Sequence, residues 1–264
     1  MEAIMANPEH VYAVFFSATG TSRSGALEIA NALDPRAITL DLTVINRQDP
    51  APAFSPRDLV VFGAPVYSGK VYQGALERFS RLRGQDTPCV LTVTFGNRAF
   101  DHALLQLSDF VRDLGFLPIA GAALVGQHTY GQIALGRPNP DDLAQNRAFA
   151  SQIADLLAEG SLAQPNFPGD PSYAEKSGGG RGRWRPLTDA DKCVLCGLCA
   201  EECPEQAIDY SDFCTIADEL CCACFRCIRV CPTGAKNMDT PAYQEFAQGF
   251  TQRLAEPQSN AYFL

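Results

Sequence analysis

Nowhere in this chain do apolar residues run on for the roughly 18 positions that a membrane-crossing helix needs, so no membrane span is expected. Basic charge is also scarce. Lys and Arg number 21 against 30 Asp and Glu, and the net charge of −9 argues against a nucleic-acid partner. The same acidity suits docking onto a basic patch of a protein partner. Cysteine is nearly missing from the first 192 residues, where Cys89 stands alone. The opening residues MEAIMANPEH lack the basic-then-apolar pattern of an export signal, so a reducing, cytoplasmic setting is expected. Two nucleotide signatures are absent as well. There is no G-x-x-x-x-G-K-[ST], which excludes a Walker loop. After the first apolar segment only Gly20 and Gly25 are available for a G-x-G-x-x-G fingerprint, so direct use of NAD(P)H has no support.

What is present describes a folded protein of 264 residues, 46% apolar and 19% charged, long enough for one sizeable domain and one small one. Residues 1–160 alternate short apolar runs with amphipathic stretches. Val11–Phe16, Ala37–Leu42, Leu59–Gly63, Cys89–Phe95 and Phe116–Val125 read as strands. Helices are expected over about Thr21–Leu33, Tyr72–Leu82, His102–Leu114 and Asp141–Glu159, and Pro50, Pro52 and Pro56 mark a loop. Repeated βα units imply a doubly wound parallel sheet of five strands, because parallel neighbours need crossover helices. Residues 161–186, rich in Pro and Gly, read as a linker. They carry Gly178–Gly180 and three arginines (Arg181, Arg183, Arg185) around the only tryptophan, Trp184. A second unit spans 187–240. The tail 241–264 has helical periodicity at Tyr243, Phe246, Phe250 and Leu254, enough to pack back onto a domain.

Ten of the eleven cysteines lie between Cys193 and Cys231. "CVLCGLCAEECP" places Cys193, Cys196, Cys199 and Cys203 in the pattern C-x2-C-x2-C-x3-C-P. "CCACFRCIRVCP" repeats it with Cys221, Cys224, Cys227 and Cys231. Two-residue gaps let three thiolates converge on one face of an iron–sulfur cube, whereas zinc sites normally show separated C-x2-C pairs. The unit resembles a bacterial-type two-cluster ferredoxin along its whole length, with "AIDY" and "GAKNMD" fitting that family's short strands. In that family each fourth cysteine ligates the other cluster. The resemblance therefore implies Cys193, Cys196, Cys199 and Cys231 on one [4Fe–4S] cluster, and Cys203, Cys221, Cys224 and Cys227 on the other. Cys214 and Cys222 fall outside the pattern and read as spare thiols. Cys89 reads as a small core hydrophobe.

"FFSATGTSRSGALEIA" (Phe15–Ala30) puts hydroxyls and glycine between an apolar strand and a helix. Such a junction exposes free N–H groups at the helix start, which favour an anion such as a phosphate. The stretch resembles the flavodoxin phosphate loop through Ser17, Thr19, Gly20 and Ser22, with Thr21 where flavodoxins often carry Asn. The resemblance implies a flavodoxin-like strand order 2-1-3-4-5 with FMN at the switch between the first and third strands. Two further loops would then flank the flavin ring. "GAPVYSGKV" supplies Pro65, Val66, Tyr67, Ser68 and Gly69. "TFGNRAFD" supplies Phe95, Gly96, Asn97, Arg98 and Asp101. The loop Val125–Pro138 contains His128, a candidate proton donor to a reduced flavin or substrate.

Taken whole, residues 11–240 resemble the fused flavodoxin-like/two-cluster ferredoxin proteins of anaerobic bacteria and archaea. The resemblance implies electron transfer between FMN and two [4Fe–4S] clusters, joining one-electron to two-electron steps in anaerobic metabolism. A redox protein partner, a ferredoxin or a larger oxidoreductase, is expected. The alternative is a flavin-dependent reductase of a small molecule fed through the clusters. A cluster protein without flavin would leave the loop at Ser17–Ser22 empty.

Overall fold

The computed structural model describes residues 8–44, 53–160 and 164–264; Pro50, Pro52 and the start of the expected linker lie outside them. Continuous apolar runs become strands that are buried on both faces. Strands β1 (His10–Phe15), β3 (Asp58–Tyr67) and β5 (Thr87–Phe95) are buried along almost their whole length. With β2 (Ile38–Asp41) and β6 (Phe116–Val125) they form a parallel sheet in the order β2-β1-β3-β5-β6. Counting parallel strands alone, this is the flavodoxin-like order 2-1-3-4-5.

The crossovers are α1 (Thr21–Leu33), α2 (Gln73–Phe79), α3 (Ala103–Asp113) and α4 (Pro140–Glu159). Helices α1 and α4 cover one face, where Ile29 meets Phe149 and Ile153 in a fully buried layer. The opposite layer joins Phe62, Phe79 and Leu104 and takes in Cys89, buried and apolar in its surroundings. Helix α4 starts at a capping box in which Asn139 Oδ1 accepts from the Asp142 N–H.

The sheet carries more than five strands. A short strand β4 (Lys70–Val71) folds back antiparallel onto the end of β3. Downstream, the chain forms β7 (Leu187–Thr188), α5 (Leu198–Glu201), α6 (Arg226–Val230), β8 (Lys236–Asn237), α7 (Pro241–Arg253) and β9 (Ala261–Phe263). The tail read from sequence as a helix is helical only over α7; β9 then pairs antiparallel with β6. An edge strand presents unpaired N–H and C=O groups, and β9 covers that edge of β6. In the cysteine-rich unit β7 pairs with β8, and Ile208 bridges Ile216.

The two halves are joined tightly. Gly179 N–H donates to Tyr67 O (2.6 Å) and Gln73 N–H donates to Gly179 O (2.8 Å), so the segment read as a linker is tied to the end of β3. Trp184 packs edge-on to Tyr243 and against Phe246, with the Arg183 guanidinium over both Trp184 and Phe246 (4.6 and 4.9 Å). Arg78, on α2, is 2% exposed. It donates to Gly74 O and Pro204 O (each 2.7 Å), pairs with Glu205 (3.2 Å) and lies over the Phe16 ring. Glu205 also accepts from Tyr72 Oη (2.9 Å). Among the described residues, no helix is long and apolar enough to cross a membrane.

Cutting Arg78 back to Ala would remove the cation facing the Glu205 carboxylate, leaving it Tyr72 Oη, and would take the guanidinium donor from Gly74 O and Pro204 O. Arg78→Ala is expected to cost about 3–5 kcal/mol in guanidinium-induced unfolding. A loss below about 1 kcal/mol would show that this joint does not hold the halves together.

Candidate functional site

Parallel α/β sheets bind ligands outside the carboxyl ends of their strands, where the strand order reverses. Here the reversal lies between β1 and β3, and a cavity of about 250 Å3 opens there. Loops leaving all four central strands wall it. Ser17, Thr19, Thr21 and Ser22 come from the loop after β1 and the start of α1, and Pro65, Val66, Tyr67, Ser68 and Gly69 from the end of β3. Phe95, Gly96 and Arg98 follow β5, and His128 follows β6.

The β1 end is built for an anion. Gly20 is the N-cap of α1 in the left-handed region, with no side chain closing the cap. Among the described residues, the N–H groups of Ala18, Thr19 and Gly20 have no protein acceptor. The hydroxyls of Ser22 and Thr94 are buried in the cavity wall without a hydrogen-bond partner. Buried polar groups are almost always satisfied, so these orphaned donors mark where a ligand's oxygens belong. Ser17 Oγ is already engaged, accepting from Arg23 N–H (2.9 Å). It supports the loop. The rest of the wall is aromatic and apolar (Val66, Tyr67, Phe95, Tyr130, Phe246, Phe250), as a flat heteroaromatic ring requires. The residues present therefore fit a flavin, with the unpartnered donors of the β1 loop suited to an anionic group.

Some expected contacts fall elsewhere. Asn97 is buried but turned to the tail. Its amide donates to Leu254 O and Glu256 O (2.8 and 2.9 Å), and its Oδ1 accepts from Gln258 N–H (2.8 Å). With both ends of the amide used, Asn97 anchors the chain after α7 rather than lining the cavity. Asp101 pairs with Arg98 outside the cavity wall, and Gly20 contributes backbone only.

His128 fills the space beside Gly96, where any Cβ would strike the imidazole, and it meets Phe250 edge-on (5.0 Å). Its Nδ1 accepts from Tyr130 N–H (2.8 Å), which places the ring proton on Nε2. Burial lowers its pKa to about 4. At neutral pH His128 is therefore a neutral hydrogen-bond donor.

Several lining groups were not legible as site residues: Thr94, Gly126, Gln127, Thr129, Tyr130, Gly180–Gly182, Ala223, Phe246 and Phe250. Thr94 lies in β5 and residues 126–130 follow β6, while the others cover the cavity from the linker, the cysteine-rich unit and α7. Gly182 has no room for a side chain between Tyr130 and Ala223; its N–H donates to Cys222 O (3.3 Å), and Tyr130 Oη donates to Ala223 O (3.2 Å).

All eleven cysteines are free thiols. Cys193, Cys196, Cys199 and Cys231 line one small cavity, together with Lys236. Cys203, Cys221, Cys224 and Cys227 line a second, with Cys222 beside them. Among the described residues, no three His, Cys, Asp or Glu side chains converge tightly enough for a single ion. Four thiols around a void suit a polynuclear centre better than mononuclear zinc, whose sulfurs stand about 2.3 Å from one point. Backbone N–H groups already point at the sulfurs: Ala207 to Cys203, Ala223 to Cys221 and Lys236 to Cys231 (3.3, 3.4 and 3.5 Å). Burial raises the thiol pKa values of Cys203 and Cys221, so metal binding must displace their protons. Lys236, 2% exposed, donates through Nζ to Thr188 Oγ1 and Phe213 O (each 2.6 Å) and sets a cation against the first thiol set. It was missed in sequence, although it is the one basic residue in "GAKNMD".

Residues 186–209 match the 4Fe-4S binding domain family. No curated protein matches the chain in sequence. Among solved structures, a flavodoxin from the domain Archaea is similar at 13% identity and a TM-score of 0.39, over 56% of this chain and 98% of that one. A WrbA-like flavodoxin from Agrobacterium tumefaciens is similar at 14% identity and a TM-score of 0.39, over 57% and 98%. The rubredoxin oxygen:oxidoreductase of Desulfovibrio gigas is similar at 17% identity and a TM-score of 0.40, over 60% of this chain but only 38% of that one. The sheet order and the 4Fe-4S match describe a flavodoxin-like unit followed, in one chain, by a ferredoxin-type segment.

His128 yields a pH prediction. Its folded pKa lies below the ordinary value of about 6.5, so the unfolded chain binds its proton first and stability falls as pH drops from about 6.5 towards 4. Between about pH 7 and pH 5 the wild type should lose about 2 kcal/mol more than His128→Asn in chemical unfolding. Parallel losses would mean that the imidazole is not held neutral.

Proposed function

We propose that this protein carries electrons between two [4Fe–4S] clusters and one FMN held in the same chain. FMN, when bound, exchanges one or two electrons and each cluster exchanges one, so the pair joins stepwise to two-electron chemistry. One observation carries the reading. Ala223, flanked by Cys222 and Cys224, lines the ring end of the FMN cavity, while Cys221, Cys224 and Cys227 line the adjoining thiol cavity. The wall between the two sites is a single turn of chain.

Each part of that wall has a task. Thr19, Ser22 and the free N–H groups before α1 hold the phosphate. Val66, Tyr67 and Phe95 receive the ring. Tyr67 is held protonated by burial, with Cys222 and Cys224 adding to the upward shift, so it gives the ring a neutral neighbour. Gly180–Gly182, Tyr130, Phe246 and Phe250 exclude water from above. His128 offers an Nε2–H hydrogen bond rather than a labile proton. Cys193, Cys196, Cys199 and Cys231 would hold one cluster; Cys203, Cys221, Cys224 and Cys227 the other. The first set lies nearer the surface: Cys196 is exposed, with Val194 and Leu195 exposed beside it. That face would receive a redox partner, in a cytoplasmic, anaerobic setting.

The roof supports a second reading. A flavin edge meant for a large protein partner would be open, whereas this cavity is partly covered by α7 and the linker. A small-molecule reductase fed through the clusters would use such a roof to enclose its substrate.

Anaerobic protein should hold about eight irons and one FMN per chain. Cys199→Ala should remove one cluster's signal and Cys203→Ala the other's. After rapid mixing with a low-potential donor, flavin bleaching should proceed at a rate independent of protein concentration. Stoichiometric zinc without iron, or a rate rising linearly with concentration, would overturn the reading.

A further inference from the structure

Arg226 sits at the start of α6 in the cysteine-rich unit, more than 200 residues from the β1 loop in sequence. Its Nη1 nevertheless donates to Ala18 O (3.0 Å) and Ser17 O (3.4 Å). On its other side Nε and Nη2 both donate to Glu202 Oε2, the former at 3.1 Å. The guanidinium is only about one-fifth exposed. In a trans peptide unit the C=O and the following N–H point to opposite sides. Drawing the Ser17 and Ala18 carbonyls towards Arg226 therefore turns the Ala18 and Thr19 N–H groups away from it. Ala18 and Thr19 line the cavity and Arg226 does not, and among the described residues those two N–H groups have no protein acceptor.

We infer that Arg226 is a positioning residue for the phosphate loop: it aims two backbone donors at the FMN phosphate from the far side of the loop. The inference rests on the FMN reading of the cavity. It also links the two cofactor sites, because each half of the clamp neighbours a cysteine of the second thiol set, Glu202 before Cys203 and Arg226 before Cys227. Loss of that unit's fold would release the carbonyls and let the loop donors drift, so FMN affinity depends on an intact cysteine-rich unit. Linkage makes the dependence reciprocal.

The test is flavin titration, by fluorescence quenching, of anaerobic protein stripped of flavin but retaining iron. Arg226→Ala should weaken FMN about tenfold, the loss of charge-assisted support to two donors. Riboflavin, which has no phosphate, should change by less than about twofold, and iron content should stay at the wild-type level. Arg226→Lys should recover part of the FMN affinity. Equal FMN affinity in wild type and Arg226→Ala overturns the inference, as does an equal loss for riboflavin. If Arg226→Ala sheds iron, Glu202→Gln decides: it keeps the guanidinium but loosens its clamp, and unchanged FMN affinity there overturns the inference. Failure of the wild type to bind FMN at all would instead overturn the reading of the cavity, a result distinct from equal binding by both proteins.

Discussion

A guanidinium withdrawn from water must find carbonyls and a carboxylate, or it cannot stay buried. Arg78 finds them on both sides of the joint between the sheet and the cysteine-rich unit: Gly74 O on its own helix, Pro204 O and Glu205 across it. Pro204 directly follows Cys203, so the joint fixes a member of the second thiol set against α2. Arg226 makes the reverse connection, from the cysteine-rich unit to the β1 loop. Two arginines anchored in opposite directions leave little freedom of tilt. The spacing between the thiol cavity and the cavity at the sheet edge follows from them.

The roof over the cavity follows from the same joint. Once the cysteine-rich unit is seated, Ala223 and Tyr130 meet and leave room between them only for a glycine, which Gly182 supplies. The chain then leads into Trp184, and Trp184, Phe246, Phe250 and His128 follow one another in ring contact as far as the loop after β6. Aromatic pairs of this kind contribute roughly 0.5–1.5 kcal/mol each beyond their buried area. The series gives α7 a reason to lie where it does without any fully buried residue of its own. Asn97 completes the arrangement by fixing the chain beyond α7, from where β9 reaches the edge of β6.

What could be read in sequence was what local spacing encodes. The two cysteine runs carry their geometry in gaps of two and three residues. The apolar runs and the hydroxyl-rich turn after β1 likewise need only their neighbours; the parallel sheet follows from the alternation of elements, and its strand order from the flavodoxin resemblance of that turn. Contacts that close over long separations were not readable. Asn97 reads as a cavity residue from its loop, but its amide partners lie 157 and 159 residues on. Arg226 looks like an ordinary charge between two ligands until folding brings it to Ala18. Strand β9 is three residues long and earns its place only because β6 would otherwise end the sheet unpaired. Thr94 sits in an apolar strand run, and nothing in its neighbours marks the hydroxyl as an orphan.

The two thiol sets differ in a way that bears on direction. The second is enclosed: Cys222 and Cys224 belong to the same apolar core as Phe16 and Tyr72, and Ala223 lines the cavity at the sheet edge. The first faces outward through Cys196, Val194 and Leu195, yet it has Lys236 buried at its back. A fixed cation beside a cluster favours its more negative, reduced form, whereas enclosure among apolar groups disfavours added charge. On the proposed function, the outer site is the one a partner can reach and the inner one the step towards the flavin, with Lys236 acting on both through Cys199 and Cys227. A partner meeting the chain at Val194 and Leu195 would load the outer site first. Passage inward would then lead to the flavin, whose cavity offers the Ser22 and Thr94 hydroxyls, unpartnered among the described residues.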